Sequence, residues 1–399
     1  MSKAEMPLAG LRVLDFGHTV MGPTAGLVLA DLGADVTRVE PPGGDPTRKL
    51  KGFGNGYFQF YNRNKKSLAL DLKSPDGLAV AKRLAARADV LIENFGPGTM
   101  ARLGLSYDDL KDAAPRLIYL SLKGYLPGPH EDRTALDEVV QMASGLAYMT
   151  GPPGQPLRAG ASVIDVMGGV FGVIGVLAAL RERDDTGQGQ QVRASLFESA
   201  AFLMGQHLAY GAITETQVPP MTARVSAWSV YDQFDTIDGQ RVFLGVTSDV
   251  QWSRFTGTFG LFDLETPELA TNNARIDARW TIIPRITQRL AALTAAEIET
   301  LATGARLPFA LVARPEDLWN NPHLTGQMLH TALPDGRRTP LPITPVQMGD
   351  RLARLNRDPP GIGADTTDVL LDLGLTPKDI AALQDKGVVR AAQEGPANE

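Results

Sequence analysis

The chain has 399 residues, 43% of them hydrophobic and 21% charged, with a net charge of -6. This is the composition of a folded globular protein, and the length predicts roughly two or three domains. It contains no cysteine, which excludes disulfide bonds, thiolate metal sites and cysteine nucleophiles. Because basic residues are not in excess and form no evident patch, we expect no nucleic-acid partner.

The sequence predicts neither a secretory signal nor a membrane-spanning helix. Residues 1–7 include an acid and a proline, so they lack the unbroken apolar run of a secretory signal, and we expect a cytoplasmic protein. Residues 166–180 carry no charge, but this run is shorter than the roughly 20 residues needed to cross a membrane. We therefore expect a buried core helix there and no membrane partner.

The N-terminal half alternates between short apolar runs and helical patterns. The predicted strands are 11–16, 34–40, 67–72, 89–93 and 117–122. Helices are predicted at 24–32, with Gly33 as its C-cap, and at 74–88, with Ser74 as its N-cap. Strands joined by helices favour a parallel sheet, so this half predicts a doubly wound α/β domain.

The pattern changes after Ser195. Residues 230–247 predict a β-hairpin around the turn Asp238-Gly239, and helical periodicity returns at 291–311. A further short helix is predicted at 367–373. The second half therefore mixes strands and helices without the regular alternation of the first.

Cofactor and metal motifs are not supported by the spacing of the residues. Gly17, Gly22 and Gly26 follow the first strand, but their spacing is not G-x-G-x-x-G, so no NAD site is predicted. The histidines share no ligand spacing, so no metal site is predicted either; they are His18, His130, His207, His323 and His330. Carboxylates are left as the candidate reactive groups.

Asp165 is the first candidate, because it directly precedes the apolar run that contains Gly168 and Gly169. Backbone N–H groups and the helix dipole should keep an acid ionised at this place even when it is partly buried. The glycines should leave room beside it for a substrate carbonyl. An ionised carboxylate near backbone donors is a competent nucleophile toward an activated acyl group. The alternative is a helix cap without catalytic function.

Three further charged residues are weaker candidates. Asp137 lies in a helical pattern and is either a functional acid or a solvated acid on a helix surface. Lys123 and Arg102 are either phosphate ligands or ordinary surface cations.

Several motifs in order along the chain resemble the family III CoA-transferases, the formyl-CoA and carnitine CoA-transferase group. They are Met21-Gly22-Pro23, Leu32-Gly33-Ala34-Asp35-Val36, Glu93-Asn94-Phe95-Gly96-Pro97-Gly98, Ser121-Leu122-Lys123-Gly124-Tyr125, Asp165 and Thr186-Gly187-Gln188-Gly189-Gln190. The resemblance implies a Rossmann-like doubly wound large domain, a smaller inserted α+β domain and an interlocked homodimer. It places the large domain at 1–205, a linker at 206–225 and the small domain at 226–330. Residues 331–399 would form a linker and a C-terminal segment that returns to the large domain.

The resemblance also implies the site and its chemistry. The catalytic carboxylate falls on Asp165, and CoA, as acyl-CoA substrate, is the only cofactor. The implied CoA contacts are Val20, Met21, Leu70, Lys73, Asn94, Phe95 and Arg102. Asp165 would attack the thioester and then carry CoA as an aspartyl thioester, with substrate contacts from Asp137, Gly168 and Gly169. Backbone N–H groups near the two glycines would stabilise the oxyanions.

Within the family, residues 123–130, 135–142 and 145–151 are similar to mesaconyl-CoA C1–C4 CoA-transferases, which move CoA between two carboxyls of one diacid. The alternative is an intermolecular transferase that uses succinyl-CoA with mesaconate, citramalate or itaconate.

Other branches of the family are disfavoured by single features. Residues 247–252 lack the glycine run of formyl-CoA transferases, which argues against transfer between formyl-CoA and oxalate. Leu136-Asp137 stands where the racemase branch, which acts on 2-methylacyl-CoA, has a His-Asp pair, so proton abstraction is disfavoured. The alternative from a different class is a protein that binds CoA or a nucleotide without catalysis, and it would show no thioester exchange.

Overall fold

A computed structural model describes residues 6–224 and 226–392, so residues 1–5 of the segment expected to lack a secretory signal lie outside it. Its strands are β1 (Arg12–Asp15), β2 (Asp35–Glu40), β3 (Lys65–Leu70), β4 (Val90–Glu93), β5 (Ile118–Lys123), β6 (Gln191–Ser195), β7 (Val230–Asp235), β8 (Arg241–Val246), β9 (Phe309–Leu311), β10 (Met328–Ala332), β11 (Arg338–Pro342) and β12 (Val389–Arg390). Its helices in the first half are α1 (Met21–Asp31), α2 (Tyr57–Tyr61), α3 (Pro75–Ala85), α4 (Thr99–Arg102), α5 (Tyr107–Leu110), α6 (Asp137–Ala143), α7 (Leu146–Thr150) and α8 (Val163–Thr186). The remaining helices are α9 (Leu196–Thr214), α10 (Asp249–Phe259), α11 (Asn272–Asp277), α12 (Arg279–Leu290), α13 (Ala295–Gly304), α14 (Thr366–Asp372) and α15 (Pro377–Asp385).

The central sheet has the strand order β12-β3-β2-β1-β4-β5-β6. All its neighbouring pairs are parallel except β12 with β3, which is antiparallel. The chain runs outward from β1 to β3 and then returns to β4 on the other side of β1. The predicted parallel α/β sheet is confirmed, and the order of its strands reverses between β1 and β4.

The third strand begins two residues before its predicted start. The prediction left Lys65 out, because a lysine is not expected at a buried position of a strand. Lys65 is nevertheless fully buried, and its ammonium forms an ion pair of 2.8 Å with Asp15. A buried charge is tolerated where it is paired and hydrogen-bonded. Lys65 is therefore part of the strand because Asp15 on β1 pairs with its charge, which the local sequence does not show.

Hydrophobic side chains fill both faces of the sheet. One cluster packs α3, α14 and α15 against it, with Leu68, Ala81 and Leu370 fully buried. The other packs α1, α8 and α9, with Ala25, Leu29 and Val176 fully buried. These three layers place the start of α1 and the start of α8 on the same face.

Helix α8 is longer and less buried than expected for the run at 166–180. It has 24 residues, and in the described part of the chain it is the one helix long and apolar enough to cross a membrane, a criterion that core helices also meet. Gly168, Gly172 and Val176 on one face are buried, but Ile174 and Leu177 are exposed. The predicted core helix is therefore buried along one face only.

Contacts divide the chain into two compact units, Met1–Thr222 with Thr325–Glu399, and Ala223–Leu324. Helix α9 continues to Thr214, so residues 206–214 of the expected linker are helical. In the second unit, β7, β8 and β9 form an antiparallel sheet, which confirms the predicted hairpin around Gly239.

Of the residues 291–311 where the sequence shows helical periodicity, only the middle part forms a helix. Thr294 and Glu297 form a capping box that starts α13, and the helix ends at Gly304. Arg306 then adopts a left-handed backbone conformation with φ 55°, and Phe309–Leu311 pairs with β8 as a strand. The left-handed conformation of Arg306 prevents the helix from continuing, and the segment that follows pairs with strand β8.

Candidate active site

The candidate site begins where the strand order reverses. In doubly wound sheets, ligands bind outside the carboxyl ends of the strands at this switch point. The segments that follow β1 and β4 meet here: the His18 N–H donates to Asn94 Oδ1 at 2.8 Å, and Asn94 Nδ2 donates to the His18 carbonyl at 3.0 Å. The two strand ends are thereby fixed to each other.

A buried ion pair holds the turn between β1 and α1. Asp15 accepts the Gly17 N–H at 2.7 Å and the Lys65 ammonium at 2.8 Å, and Lys65 also donates to the Pro23 carbonyl at 2.9 Å. Burial lowers the pKa of Lys65 to about 8, although Asp15 opposes this shift. One lysine therefore joins the beginning and the end of the turn.

A cavity of about 790 Å³ opens at this turn. Of the residues expected to contact CoA, Leu70, Lys73, Phe95 and Arg102 line it. Lys73 and Arg102 are exposed, so their charges are open to an anionic ligand, whereas Leu70 is buried and offers an apolar wall. An apolar cavity with cations at its rim fits a long ligand that carries phosphates.

The other three residues expected to contact CoA do not line this cavity. Val20 and Met21 are buried at the start of α1, and Asn94 is engaged in the two hydrogen bonds to the turn. Their observed contacts position the turn. Whether CoA reaches any of the seven residues remains a prediction.

Asp165 lies in the first turn of α8, as its sequence context predicts. No described residue donates a hydrogen bond to its carboxylate. Its own backbone N–H, at 3.1 Å, and that of Ile164, at 2.9 Å, both donate to Asp137 Oδ2. Two of the free amides at the helix start are thus used by Asp137, and the Asp165 carboxylate has no hydrogen-bond donor among the described residues.

Asp165 is harder to ionise than the sequence predicts. Burial first and the negative charge of Asp137 second raise its pKa to about 7, although Arg158 acts in the opposite direction. The expectation that the helix N-terminus keeps this acid ionised is therefore wrong. The physical reason is that burial and the negative charge of Asp137 outweigh the helix N-terminus, where Asp137 itself accepts two of the amides.

Gly168 and Gly169 allow α1 and α8 to approach each other closely. A Cβ at Gly168 would lie 2.4 Å from the Met21 methyl, and one at Gly169 would lie 2.7 Å from the Met21 carbonyl oxygen. The room predicted for a substrate carbonyl is therefore filled by α1 on this side. Both amides also lie beyond the first turn, where N–H groups are engaged in helical hydrogen bonds.

Asp137 is not the solvated helix acid that its pattern allowed. It is 7% exposed, and its second oxygen accepts Gln141 Nε2 at 2.6 Å and faces Arg158 Nη2 at 3.5 Å. Its carboxylate caps the start of α8 from a different helix, in the manner of an N-cap side chain. Its predicted substrate contact stays a prediction.

Two aromatic residues of unusual environment were not identified from the sequence. Burial first, and then the charges of Asp165, Tyr57 and Asp137, raise the pKa of Tyr61 to about 12. His18, which we had not distinguished among the histidines, lines the cavity and packs against Phe95 with ring centroids 5.5 Å apart. Burial lowers the pKa of His18. Its place directly after a predicted strand was the signal available.

Lys123 is removed from the cavity at the turn. Its ammonium pairs with Glu93 at 2.7 Å and donates to the Phe95 carbonyl at 2.8 Å, and it lines a separate cavity of about 250 Å³. Within residues 6–224 and 226–392, no group of three or more histidines and carboxylates is placed to hold a metal ion.

The comparison with known families decides which proteins this site belongs with. Residues 8–366 match the profile of CoA-transferase family III. The chain belongs to this family. It is therefore an enzyme that transfers CoA, and the resemblance inferred from its motifs is confirmed at this level.

Characterised relatives match this CoA-transferase over nearly its whole length. It is 32% identical to a succinate–glutarate CoA-transferase of Agrobacterium fabrum, over 94% of this chain and 97% of the relative. It is 30% identical to a succinyl-CoA–D-citramalate CoA-transferase of Chloroflexus aurantiacus, over 96% and 98%. Among solved structures, a CAIB/BAIF family protein from Brucella suis superposes with a TM-score of 0.82 at 27% identity, covering 93% of this chain and 100% of that one.

Proposed function

We propose that this CoA-transferase exchanges CoA between carboxyl groups of dicarboxylic acids, with Asp165 as the nucleophile. The observation that carries the proposal is the half-buried Asp165 side chain in the first turn of α8, whose carboxylate accepts no hydrogen bond from a described residue and whose pKa of about 7 leaves it part ionised near neutrality. A carboxylate that is partly shielded from water and held by no described donor loses little solvation when it attacks.

The reaction needs no group beyond the two substrates and Asp165. The Asp165 carboxylate attacks the thioester carbonyl, which forms a mixed anhydride and expels CoA as thiolate. The thiolate attacks the aspartyl carbonyl of the anhydride, which releases the first acid as carboxylate and leaves an aspartyl-CoA thioester. The acceptor carboxylate attacks that thioester, and the expelled thiolate then attacks the acceptor acyl carbon, which regenerates Asp165. Each bond to CoA that breaks is replaced by another activated acyl bond.

Two substrates fit this scheme. Residues 123–130, 135–142 and 145–151, by their similarity to mesaconyl-CoA C1–C4 CoA-transferases, favour transfer between the two carboxyls of one mesaconyl-CoA molecule. The relatives named for succinate and glutarate and for succinyl-CoA and D-citramalate favour transfer from succinyl-CoA to a second diacid. We take the first as the primary proposal and the second as its alternative.

Incubation of the enzyme with mesaconyl-C1-CoA alone separates the two. Appearance of the C4 isomer, resolved by chromatography at unchanged mass, is the result expected for intramolecular transfer. If product forms only after succinyl-CoA and free mesaconate, citramalate or itaconate are supplied together, the alternative is correct. Deuterium incorporation at the alpha carbon without transfer would instead indicate a racemase, and Asp165→Ala is the control in every arm.

We also propose that the enzyme is a homodimer, as the resemblance implies. Helices α8 and α9 expose large apolar side chains in the chain by itself: Ile174 is 55% exposed, Phe202 72%, Leu208 68% and Ile213 82%. Contiguous exposed apolar surface is typical of an interface. Light scattering after size exclusion should give twice the 42.8 kDa of one chain, and a monomeric mass would contradict the proposal.

A further inference from the structure

Arg158 lies in the segment that leads into α8, beside the residues that hold the nucleophile. The segment is fixed to α6, because the Ala159 N–H donates to Gln141 Oε1 at 2.8 Å and Gln141 Nε2 donates to Asp137 Oδ1 at 2.6 Å. The Arg158 side chain is 31% exposed, so it reaches solvent from an anchored backbone.

The hydrogen-bonding capacity of this guanidinium is only partly used. Its Nε donates to the Ala159 carbonyl at 3.1 Å, and its Nη2 donates to the Ala161 carbonyl at 3.3 Å and to Asp137 at 3.5 Å. Among the described residues, Nη1 has only an ion pair of 3.5 Å with Glu138, whose side chain is 58% exposed. A guanidinium has five N–H donors and these contacts use four, so one Nη1–H of Arg158 is left for a ligand among the described residues.

Asp137 connects this cation to the nucleophile. One of its oxygens accepts the Asp165 N–H, and the other faces Arg158. The positive charge of Arg158 acts on Asp165 directly, since it opposes the rise in the pKa of that acid. The guanidinium of Arg158 and the backbone of the nucleophile are therefore held by the same carboxylate, that of Asp137.

We infer that Arg158 binds the distal carboxylate of the acyl group while Asp165 attacks its thioester, which makes it the residue that selects dicarboxylic substrates. A charge-assisted hydrogen bond from a guanidinium N–H to a carboxylate is about twice as strong as one between neutral groups, so a single free N–H and the positive charge can hold a carboxylate. A diacid thioester presents such a carboxylate a few bonds from its reacting carbonyl. This inference rests on the proposed function, because it names the group that recognises the second carboxyl of the diacid.

The test compares two donors that differ only in that carboxyl, succinyl-CoA and butyryl-CoA. Formation of the aspartyl-CoA adduct from donor alone is followed by intact-protein mass, with Arg158→Met, Arg158→Lys and the wild type in parallel. In Arg158→Met, loss of a charged hydrogen-bond pair should lower the second-order rate constant of adduct formation from succinyl-CoA about 30- to 100-fold. The value for butyryl-CoA should change less than about threefold, and Arg158→Lys should recover part of the preference.

The matched control is Arg181→Met, since Arg181 is an exposed arginine on α8 whose partner is Asp185, at 2.8 Å. It should keep the wild-type preference. An equal loss with both donors in Arg158→Met would overturn the inference, because it would mean that Arg158 only supports Asp137 and the start of α8; an unchanged ratio would overturn it too. A wild type that reacts equally fast with both donors would also overturn the inference. A wild type that forms no adduct with succinyl-CoA, butyryl-CoA or mesaconyl-C1-CoA would instead refute the proposed function itself.

Discussion

The nucleophile region at the start of α8 and the cavity at the β1–α1 turn are built in different ways. Around Asp165, buried side chains hold backbone groups by short hydrogen bonds, and Asp137 alone fixes two amides. At the cavity, the cations Lys73 and Arg102 are exposed and neither forms an ion pair with a described residue. A reacting group needs a fixed position, whereas a phosphate is attracted by charge over a distance. Substitutions should therefore have large effects in the first region and graded ones in the second.

The largest effect is expected at the nucleophile. Asp165→Ala should lower kcat by about 10⁴-fold or more, because no neighbouring carboxylate can replace it in the covalent step. Thioester exchange measured by chromatography checks this, together with mass detection of the aspartyl-CoA adduct, which should disappear. Glu138→Ala, an exposed acid beside Asp137, should keep the adduct. Full activity of Asp165→Ala would refute the mechanism.

At the cavity the expected changes are smaller and concern binding. Lys73→Gln and Arg102→Gln should each raise the KM for the CoA thioester about 5- to 10-fold with kcat nearly unchanged, because each removes one screened charge from the rim. Steady-state kinetics at low and at high salt measure this, and the effect should shrink as salt rises.

Lys111→Gln is the control for the cavity, since Lys111 is an exposed lysine paired with Asp108 and does not line it. Its KM should equal that of the wild type. If the two rim variants lower kcat and leave KM unchanged, CoA does not bind there by its phosphates.

Asp137→Asn tests the electrostatic link within the nucleophile region. An asparagine oxygen can still cap α8, but the charge that raises the pKa of Asp165 is lost, so that pKa should fall by about one unit. Because the ionised form reacts, the rising limb of the pH–rate profile should move to lower pH. The ratio of the rate at pH 6 to that at pH 8 should increase about fivefold.

The exposed neighbour provides the comparison for this profile. Glu138→Gln removes a charge one residue away and should leave the limb near pH 7, since Glu138 is not among the groups that act on Asp165. A limb that stays in place in Asp137→Asn would show that burial alone sets the pKa of Asp165.

The smallest effect concerns stability. An acid whose pKa is raised in the folded state ionises more readily when unfolded, so its contribution to stability falls as pH rises from about 4 to about 7. Asp165→Asn removes that charge and should raise Tm at pH 8 by about 1–3 °C, with a smaller gain at pH 5. Thermal unfolding at both pH values measures this. Asp185→Asn, at the exposed end of α8, should show no such gain.

The residues differ in how far the sequence could place them. Asp165 was found from its position between a short apolar run and a glycine-rich one, and the structure confirms that it starts a long helix. Tyr61 and Lys65 were missed, because neither residue type nor spacing distinguishes them. Both become notable only through residues that are distant in the chain. Lys65 pairs with Asp15, which is 50 positions away, and the charge of Asp165 acts on the pKa of Tyr61.

By itself, the sequence determined the alternation of strands and helices that predicts a parallel sheet, the candidate nucleophile and the resemblance to the family. These depend on local patterns, because hydrophobic periodicity and turn residues act over a few positions. The tertiary structure alone decided that Asp137 takes the amides at the start of α8, that Gly168 and Gly169 admit α1, and that Arg158 is left partly open. Each of these is a long-range contact; Asp137 and Asp165 are 28 positions apart. Burial and the charge of a neighbour set a pKa, and both exist only once the chain has folded.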